Sequence, residues 1–461
     1  MHITTCAAAL SLLAASAYAA PLEAGNVRHS ARRAVHKRGA DAKAITWKPT
    51  ALVESRATTG GSAYTMSLKK QTTTRANPRS AAYLKGLTGK STSTTSGSTG
   101  LISLFEGEEY ATSITFGTQT FDVIVDTGSS DTWVVKEDFE CIDLDTGDKT
   151  SESDCEFGTT YTTDSTLKKI SGEEFEIEYG DGEYLYGYMG TETVTLASIT
   201  VDQEVAIVTE AAWEGDGTTS GLTGLAYPAL TSAYNEKTDD QEVYNPIFTT
   251  MVNDGLIDSY FSLAISRNVS GDAGYLTLGG LPPITFNETF TTTDILITSI
   301  EGYTKTYDFY TIEIDAVTLN GKSLTAAGGS VQYIVDSGTT LNYYPTAIAD
   351  EVNAAFDPPA VYSDDEGAYV VDCDATPPTH GITIGGTTFT INPLDLILYA
   401  GTDDDGNDVC ISGIDDGGDD DSEDLFILGD TFQKNVVTVF DVGAVEMKFA
   451  PHVDYESNDT Y

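Results

Sequence analysis

Two near-identical phrases in this 461-residue chain carry residues able to do chemistry together. Asp126-Thr127-Gly128-Ser129 and Asp336-Ser337-Gly338-Thr339 lie 210 positions apart. Each follows an apolar stretch that reads as a strand, Phe121 to Val125 before the first and Val331 to Val335 before the second. A strand that stops at Asp-Thr/Ser-Gly leaves a carboxylate at its C-terminal end, and the glycine lets the backbone turn sharply. One such phrase is no more than a strand end and a turn. Two of them facing each other would put two carboxylates in one site. Such a pair can share a proton and act as acid and base on a single water.

The elements that must position these turns are also repeated. Gly221-Leu222-Thr223-Gly224-Leu225 follows the first turn, with Gly224 98 residues after Asp126. Phe426-Ile427-Leu428-Gly429-Asp430 follows the second, with Gly429 93 residues after Asp336. The chain therefore reads as two copies of one lobe, each holding an Asp turn and an apolar-apolar-Gly partner segment. Thr, Gly and Tyr are abundant and long helical periodicities are few, so the lobes read as mainly β. Short helices are expected from Pro246 to Asp254 and from Pro345 to Phe356. Residues 281–305 read as the crossing between lobes, with the first lobe at 91–284 and the second at 285–461.

Composition sets limits on what the chain can do. Hydrophobic residues make up 40% and aromatic residues 10%, which fits a globular protein of two or three domains' worth of core. Of 24 Lys/Arg and 71 Asp/Glu, residues 1–90 hold 14 basic and three acidic side chains, so nearly all the acid lies in the body that follows. So acidic a body excludes nucleic acid as a partner, because phosphate binding needs a basic surface. The apolar run Ala7 to Ala15 leads to Ala17-Tyr18-Ala19 and reads as a secretory signal ending at residue 19. It is too short to span a bilayer, and a secreted protein with no membrane contact is the expectation. Residues 20–90 read as a basic pro-segment with a dibasic pair at Lys37-Arg38, and residues 88–100 as a cleavable Ser/Thr/Gly linker. A basic segment lying across an acidic cleft would hold at neutral pH and loosen as carboxylates protonate.

Once Cys6 has left with the signal, four cysteines remain, and four allow three pairings. The local pairing, Cys141 with Cys155 and Cys373 with Cys410, keeps one bridge in each repeat and is preferred. Asn268, Asn287 and Asn458 each begin an Asn-x-Ser/Thr sequon, compatible with glycosylation on a secretory route. The dense acidic run at 403–424 does not match the spacing of a calcium loop and reads as a solvated surface loop.

From about Leu101 to Ala450 the residues resemble the pepsin-like aspartic endopeptidases, especially those secreted by fungi. Asp126 to Trp133 looks like the family's first active-site loop, and Tyr179-Gly180-Asp181-Gly182 like the tip of its flap. Leu222 to Pro228 resembles the first partner segment, and Asp336 to Thr340 the second active-site loop. Ile427 to Phe432, followed by Val437 to Asp441, resembles the closing segment. The resemblance implies a bilobal fold, two β-rich lobes with the active-site cleft between them. It also implies a monomer that hydrolyses internal peptide bonds of proteins and peptides in acid, without metal, cofactor or covalent intermediate. Its pro-segment would act as an intramolecular inhibitor until acid releases it.

Residue by residue, the resemblance makes Asp126 and Asp336 the catalytic pair. Ser129 and Thr339 would hydrogen-bond their outer carboxylate oxygens. Thr127 and Ser337 would lock the two loops together, and Gly128 and Gly338 would bring backbone N–H groups to the carboxylates. Tyr179 would cover the cleft, with Gly180 beside it and Trp133 as its hydrogen-bonding partner. Leu222 would line the pocket before the cut bond. Asp181 would favour Lys there, within a general preference for apolar and aromatic residues. Two departures stand out. Glu183-Tyr184-Leu185-Tyr186 makes the flap bulkier than the family's usual small hydroxyl residue. The Lys that blocks the pair in zymogen relatives has no clear match, Lys85 being the candidate. The alternative is a catalytically silent binding or inhibitor protein on the same fold. Such relatives typically lose an Asp or the flap Tyr, and here all three are intact.

Overall fold

The computed structural model describes residues 97–452 except 105–106, 145, 181, 269–270, 298–305, 325–330, 364–366, 403–406 and 419–425. The expected signal (1–19) and pro-segment (20–90), together with Lys85, Asp181 and Asn458, lie outside the described residues.

The strand before the first Asp turn runs Gln119–Asp126, and its last four residues are all buried. It lies parallel to Gly221–Gly224 with Asp126 opposite Gly224. That short strand lies antiparallel to Thr132–Cys141 on its other side. The second turn is built the same way. Val331–Val335 lies parallel to Ile427–Leu428 with Val335 opposite Leu428, and Ile427–Leu428 lies antiparallel to Asn342–Tyr344. The repeated segments seen in the sequence thus supply the middle strand of each turn. A strand covered on both sides reads as a nearly unbroken apolar run, and here only Asp122 and Gln332 interrupt the stretches from Phe121 to Val125 and from Val331 to Val335.

Among the described residues, one 14-stranded sheet is joined by one of five strands and two of four. The largest sheet spans both halves of the chain. Phe261–Ile265 pairs antiparallel with Val436–Asp441, and Phe261 stacks on Phe440 with ring centroids 4.5 Å apart. One contiguous apolar core runs from Leu101 to Phe449. The halves are therefore connected by a shared sheet beneath the Asp turns. The expected crossing at 281–305 contains one of its strands, Thr291–Asp294, paired with Glu446–Pro451.

The expected helix after Pro246 forms as Ile247–Asn253. The one after Pro345 is Thr346–Asn353, and it ends before Phe356. Beyond it the hydrogen bonds tighten to three-residue spacing, from Ala355 N–H to Val352 O and from Phe356 N–H to Asn353 O. Pro358 then has no N–H with which to continue. The acidic run departs from the reading of a solvated loop. Asp408–Ser412 and Ile414–Asp416 are strands, and Asp415 is buried, which pushes its carboxyl up to about 7. Val409, Ile411 and Ile414 break the acidic pattern with side chains that the sheet can bury. Both disulfides are local, Cys141–Cys155 and Cys373–Cys410, as preferred from the sequence.

Candidate active site

The two Asp turns meet at the centre of the molecule, and Asp126 and Asp336 are both fully buried. Their carboxyls are in hydrogen-bonding contact. Gly128 N–H donates to Asp126 Oδ1 at 2.6 Å, and the Ser129 hydroxyl donates to Asp126 Oδ2. Gly338 N–H donates to Asp336 Oδ1 at 2.9 Å, and the Thr339 hydroxyl to Asp336 Oδ2 at 2.8 Å. Each carboxylate is thus held by the same two donors at the same offsets. Burial pushes the Asp126 carboxyl well above the usual carboxylate range, and the neighbouring Asp336 adds to this. The bonds from Ser129 and Gly128 oppose it without cancelling it.

The residues between these donors join the turns to one another. Thr127 Oγ1 donates to Val335 O at 3.1 Å and accepts from Ser337 N–H at 2.9 Å. Ser337 Oγ donates to Val125 O at 2.8 Å and accepts from Thr127 N–H at 3.2 Å. All four bonds cross from one half of the chain to the other, and each hydroxyl acts as both donor and acceptor. Further contacts between the halves surround them. Thr340 Oγ1 donates to Glu108 O at 2.6 Å, and the Lys434 ammonium to Gly107 O at 2.8 Å.

Above the first turn stands a hairpin of Lys168–Glu178 and Tyr184–Leu196, closed by Tyr179 N–H donating to Glu183 O at 2.8 Å. The bulkier segment Tyr184 to Tyr186 keeps both arms in register. Irregularities fall further down the hairpin, between Lys169 and Glu174, and on the neighbouring strand, where Tyr186 faces Glu210 and Gly187 faces Val208. Glu183 is buried, and its carboxylate accepts from Glu214 N–H at 2.8 Å, tying the hairpin to the segment around Trp213. Trp133 Nε1–H donates to Tyr179 Oη at 2.9 Å, as expected from the sequence. Leu222 is buried one strand over, opposite Trp133.

Three residues near the site escaped the sequence reading. Trp213 lies edge-on to both Trp133 and Tyr179, with centroids 5.3 and 5.6 Å away, and completes an aromatic box around the hairpin tyrosine. Tryptophan is rare in this chain, and that rarity was its one available signal. Asp430 is buried, and among the described residues neither of its carboxyl oxygens has a hydrogen-bond partner. Burial raises it well above the usual range, Lys434 pulls it down, and Asp336, Glu109 and Asp126 push it up again. Glu109 is likewise raised, by burial first and then by Asp216 and Glu108. Asp126, Asp430 and Glu109 thus form a set of buried carboxyls that resist ionisation. The asparagines of two of the sequons fall among the described residues. Asn287 is exposed, while the Asn268 amide donates to Asp272 O at 2.6 Å.

This is the fold of the pepsin-like aspartic proteinases. The crystal structure of an aspartic proteinase from Irpex lacteus matches it with a TM-score of 0.60. The match covers 77% of this chain and 97% of that one at 21% identity, which speaks for the fold alone. The eukaryotic aspartyl protease family matches residues 109–452. A probable aspartic-type endopeptidase of Aspergillus fumigatus is 53% identical over 407 residues, 88% of this chain and 91% of that protein. An aspartic protease of Phaffia rhodozyma is 30% identical over 348 residues, 74% of this chain and 75% of that protein. The chain belongs to the eukaryotic aspartyl protease family and is a peptide hydrolase of the aspartic type.

Proposed function

We propose that the chain is a secreted acid endopeptidase in which Asp126 and Asp336 activate one water against an internal peptide bond. One observation carries the reading. Two buried carboxyls in contact end two equivalently built turns, each held by the same pair of donors. Two such carboxylates cannot both ionise comfortably, so the pair keeps one proton. This is the general behaviour of paired aspartates in the family, applied here rather than discovered. The ionised member takes a proton from the water as its oxygen bonds to the scissile carbonyl carbon. The protonated member donates to the carbonyl oxygen, giving a tetrahedral diol. Proton transfer to the leaving nitrogen then breaks the C–N bond and restores the pair. The two carboxyls titrate as a unit.

The finer reading has its own supports. The contrast between a basic segment at 20–90 and an acidic body supports a zymogen that opens in acid, and the apolar run ending at residue 19 supports secretion. The aromatic box of Tyr179, Trp133 and Trp213, with Leu222 beside it, supports a preference for apolar or aromatic residues before the cut bond. Asp181 would admit Lys there. The lobes divide at 284/285, the substrates are proteins and peptides, and the enzyme works as a monomer.

The test is cleavage of a denatured protein at pH 3–4 by Asp126→Asn and Asp336→Asn variants. Each should lose activity by at least about a thousandfold, in line with loss of an essential acid or base. Near-UV circular dichroism should be unchanged. The precursor of either variant should also fail to shorten on acidification. Retained proteolysis in a folded variant would remove the pair from the mechanism.

A further inference from the structure

A buried chain of hydrogen bonds leads from the second Asp turn into the sheet behind it. It begins at Gly429, where a Cβ would collide with the carbonyl oxygens of Thr339 and Leu341, so the two segments touch backbone to backbone. Gly429 N–H donates to Asn342 Oδ1 at 2.9 Å. The Asn342 amide donates to Tyr344 Oη at 3.1 Å. Tyr344 Oη lies 2.9 Å from His380 Nε2, and His380 Nδ1 lies 3.0 Å from Thr318 O. A carbonyl oxygen only accepts, so Nδ1 carries the ring proton, and the bare Nε2 of the neutral ring accepts from the Tyr344 hydroxyl. Every donor then has an acceptor, in one direction from Gly429 to Thr318. Asn342, Tyr344 and His380 are all buried.

The first Asp turn is built without such a chain. Thr132, at the position equivalent to Asn342, meets the Thr223 hydroxyl at 3.2 Å. Gly224 N–H donates to the backbone oxygen of Asp131 at 2.8 Å. Gly224 is thus fastened to a backbone carbonyl, whereas Gly429 is fastened to side chains that end on a titratable ring.

We propose that His380 is a positioning residue for the Asp336 turn, holding Gly429 and the strand end beside Asp336 through Tyr344 and Asn342 while its ring is neutral. The inference rests on the reading of Asp336 as catalytic. Movement at Gly429 reaches Asp336 from two sides, because Asp336 N–H donates to Leu428 O at 3.2 Å and Asp430 N–H donates to Thr339 O at 2.8 Å. A proton on Nε2 would set donor against donor and leave the Tyr344 hydroxyl without its acceptor. Burial pushes the ring down to about 4, opposed only by the Thr318 carbonyl, which brings this change into the acid range. The strands paired with His380–Ile384, Ala316–Leu319 and Thr387–Ile391, carry no titratable side chain. From the neighbouring sheet Tyr344 faces the ring, with centroids 5.6 Å apart, and Tyr333 packs edge-on behind Tyr344; burial keeps both phenols neutral throughout.

The experiment measures kcat and KM on one peptide from pH 2.5 to 6 for the wild-type enzyme and for His380→Gln, His380→Phe, Tyr344→Phe and the double Phe variant. Asp336→Asn is the reference. His380→Phe and Tyr344→Phe should each lower kcat about fivefold with KM unchanged, and the double variant should fall no further. His380→Gln keeps an acceptor but cannot titrate. It should hold kcat at pH 5 within about twofold of wild type and lose one proton's steepness from the acid limb near pH 4. A folded His380→Phe enzyme with wild-type kcat would overturn the inference. So would a His380→Gln enzyme with the wild-type acid limb, or losses that multiply in the double variant. If His380→Phe does not fold, His380→Gln and Tyr344→Phe decide alone. An active Asp336→Asn enzyme would remove the underlying reading instead, and with it any reason for His380 to act on this turn.

Discussion

Gly128 and the Asp336 carboxyl compete for the same space. A Cβ on residue 128 would stand 2.6 Å from Asp336 Cγ, well inside contact distance. Gly128→Ala must therefore move one carboxyl away from the other. We expect a loss of kcat of about a hundredfold or more, the usual penalty for displacing a reacting group by an ångström, with KM little changed. Steady-state kinetics at pH 4 checks it, and near-normal kcat would mean the pair tolerates wider spacing. At this scale the sequence was informative wherever the chemistry was local. Asp126, Ser129, Asp336 and Thr339 could be read because each carboxylate and its donors lie within four residues of one another. Asp430 and Glu109 could not. Their raised carboxyls follow first from burial, which the packing of distant segments creates, and no local phrase encodes that.

The hairpin over the first turn depends on one side-chain hydrogen bond and on aromatic packing. Trp133→Phe removes the N–H that Tyr179 Oη accepts and trims the ring that meets Trp213 edge-on. We expect kcat/KM to fall about fivefold, the equivalent of about 1 kcal/mol for one neutral hydrogen bond. Stability should fall by about 1–3 kcal/mol through the cavity left behind. Peptide kinetics and urea unfolding measure the two separately, and an unchanged kcat/KM would free the hairpin tyrosine from Trp133. Elements flanked by clear signals were read correctly, as with the strands ahead of each Asp and the helix between Pro246 and Gly255. Those that failed were decided by tertiary pairing. Ile411 and Ile414 fold into strands within an acidic run because partner strands are there to cover them. Thr291–Asp294 joins the large sheet because the distant Glu446–Pro451 lies alongside it.

The whole molecule carries its acidity into its stability. Glu204 shares a hydrogen bond with Glu173 and lies near Asp131 and Glu242. Burial first, and then Glu173, push its carboxyl up to about 8. A carboxyl raised in the folded state contributes its full stability below the unfolded value, near 4.5, and loses it as pH rises through 8. Glu204→Gln should therefore leave the urea midpoint unchanged at pH 4 and raise it at pH 8. Equal midpoints at pH 8 would show that other carboxyls govern the alkaline limit. With a net charge of −47 the chain has many such groups, so a single replacement should shift the loss rather than abolish it. The four bonds exchanged between Thr127 and Ser337 and each other's strands have a further mechanical consequence. All four are made by residues that flank the two acids in the chain, so one acid cannot shift relative to the other without straining them. Substrates of different girth would meet the same reacting geometry.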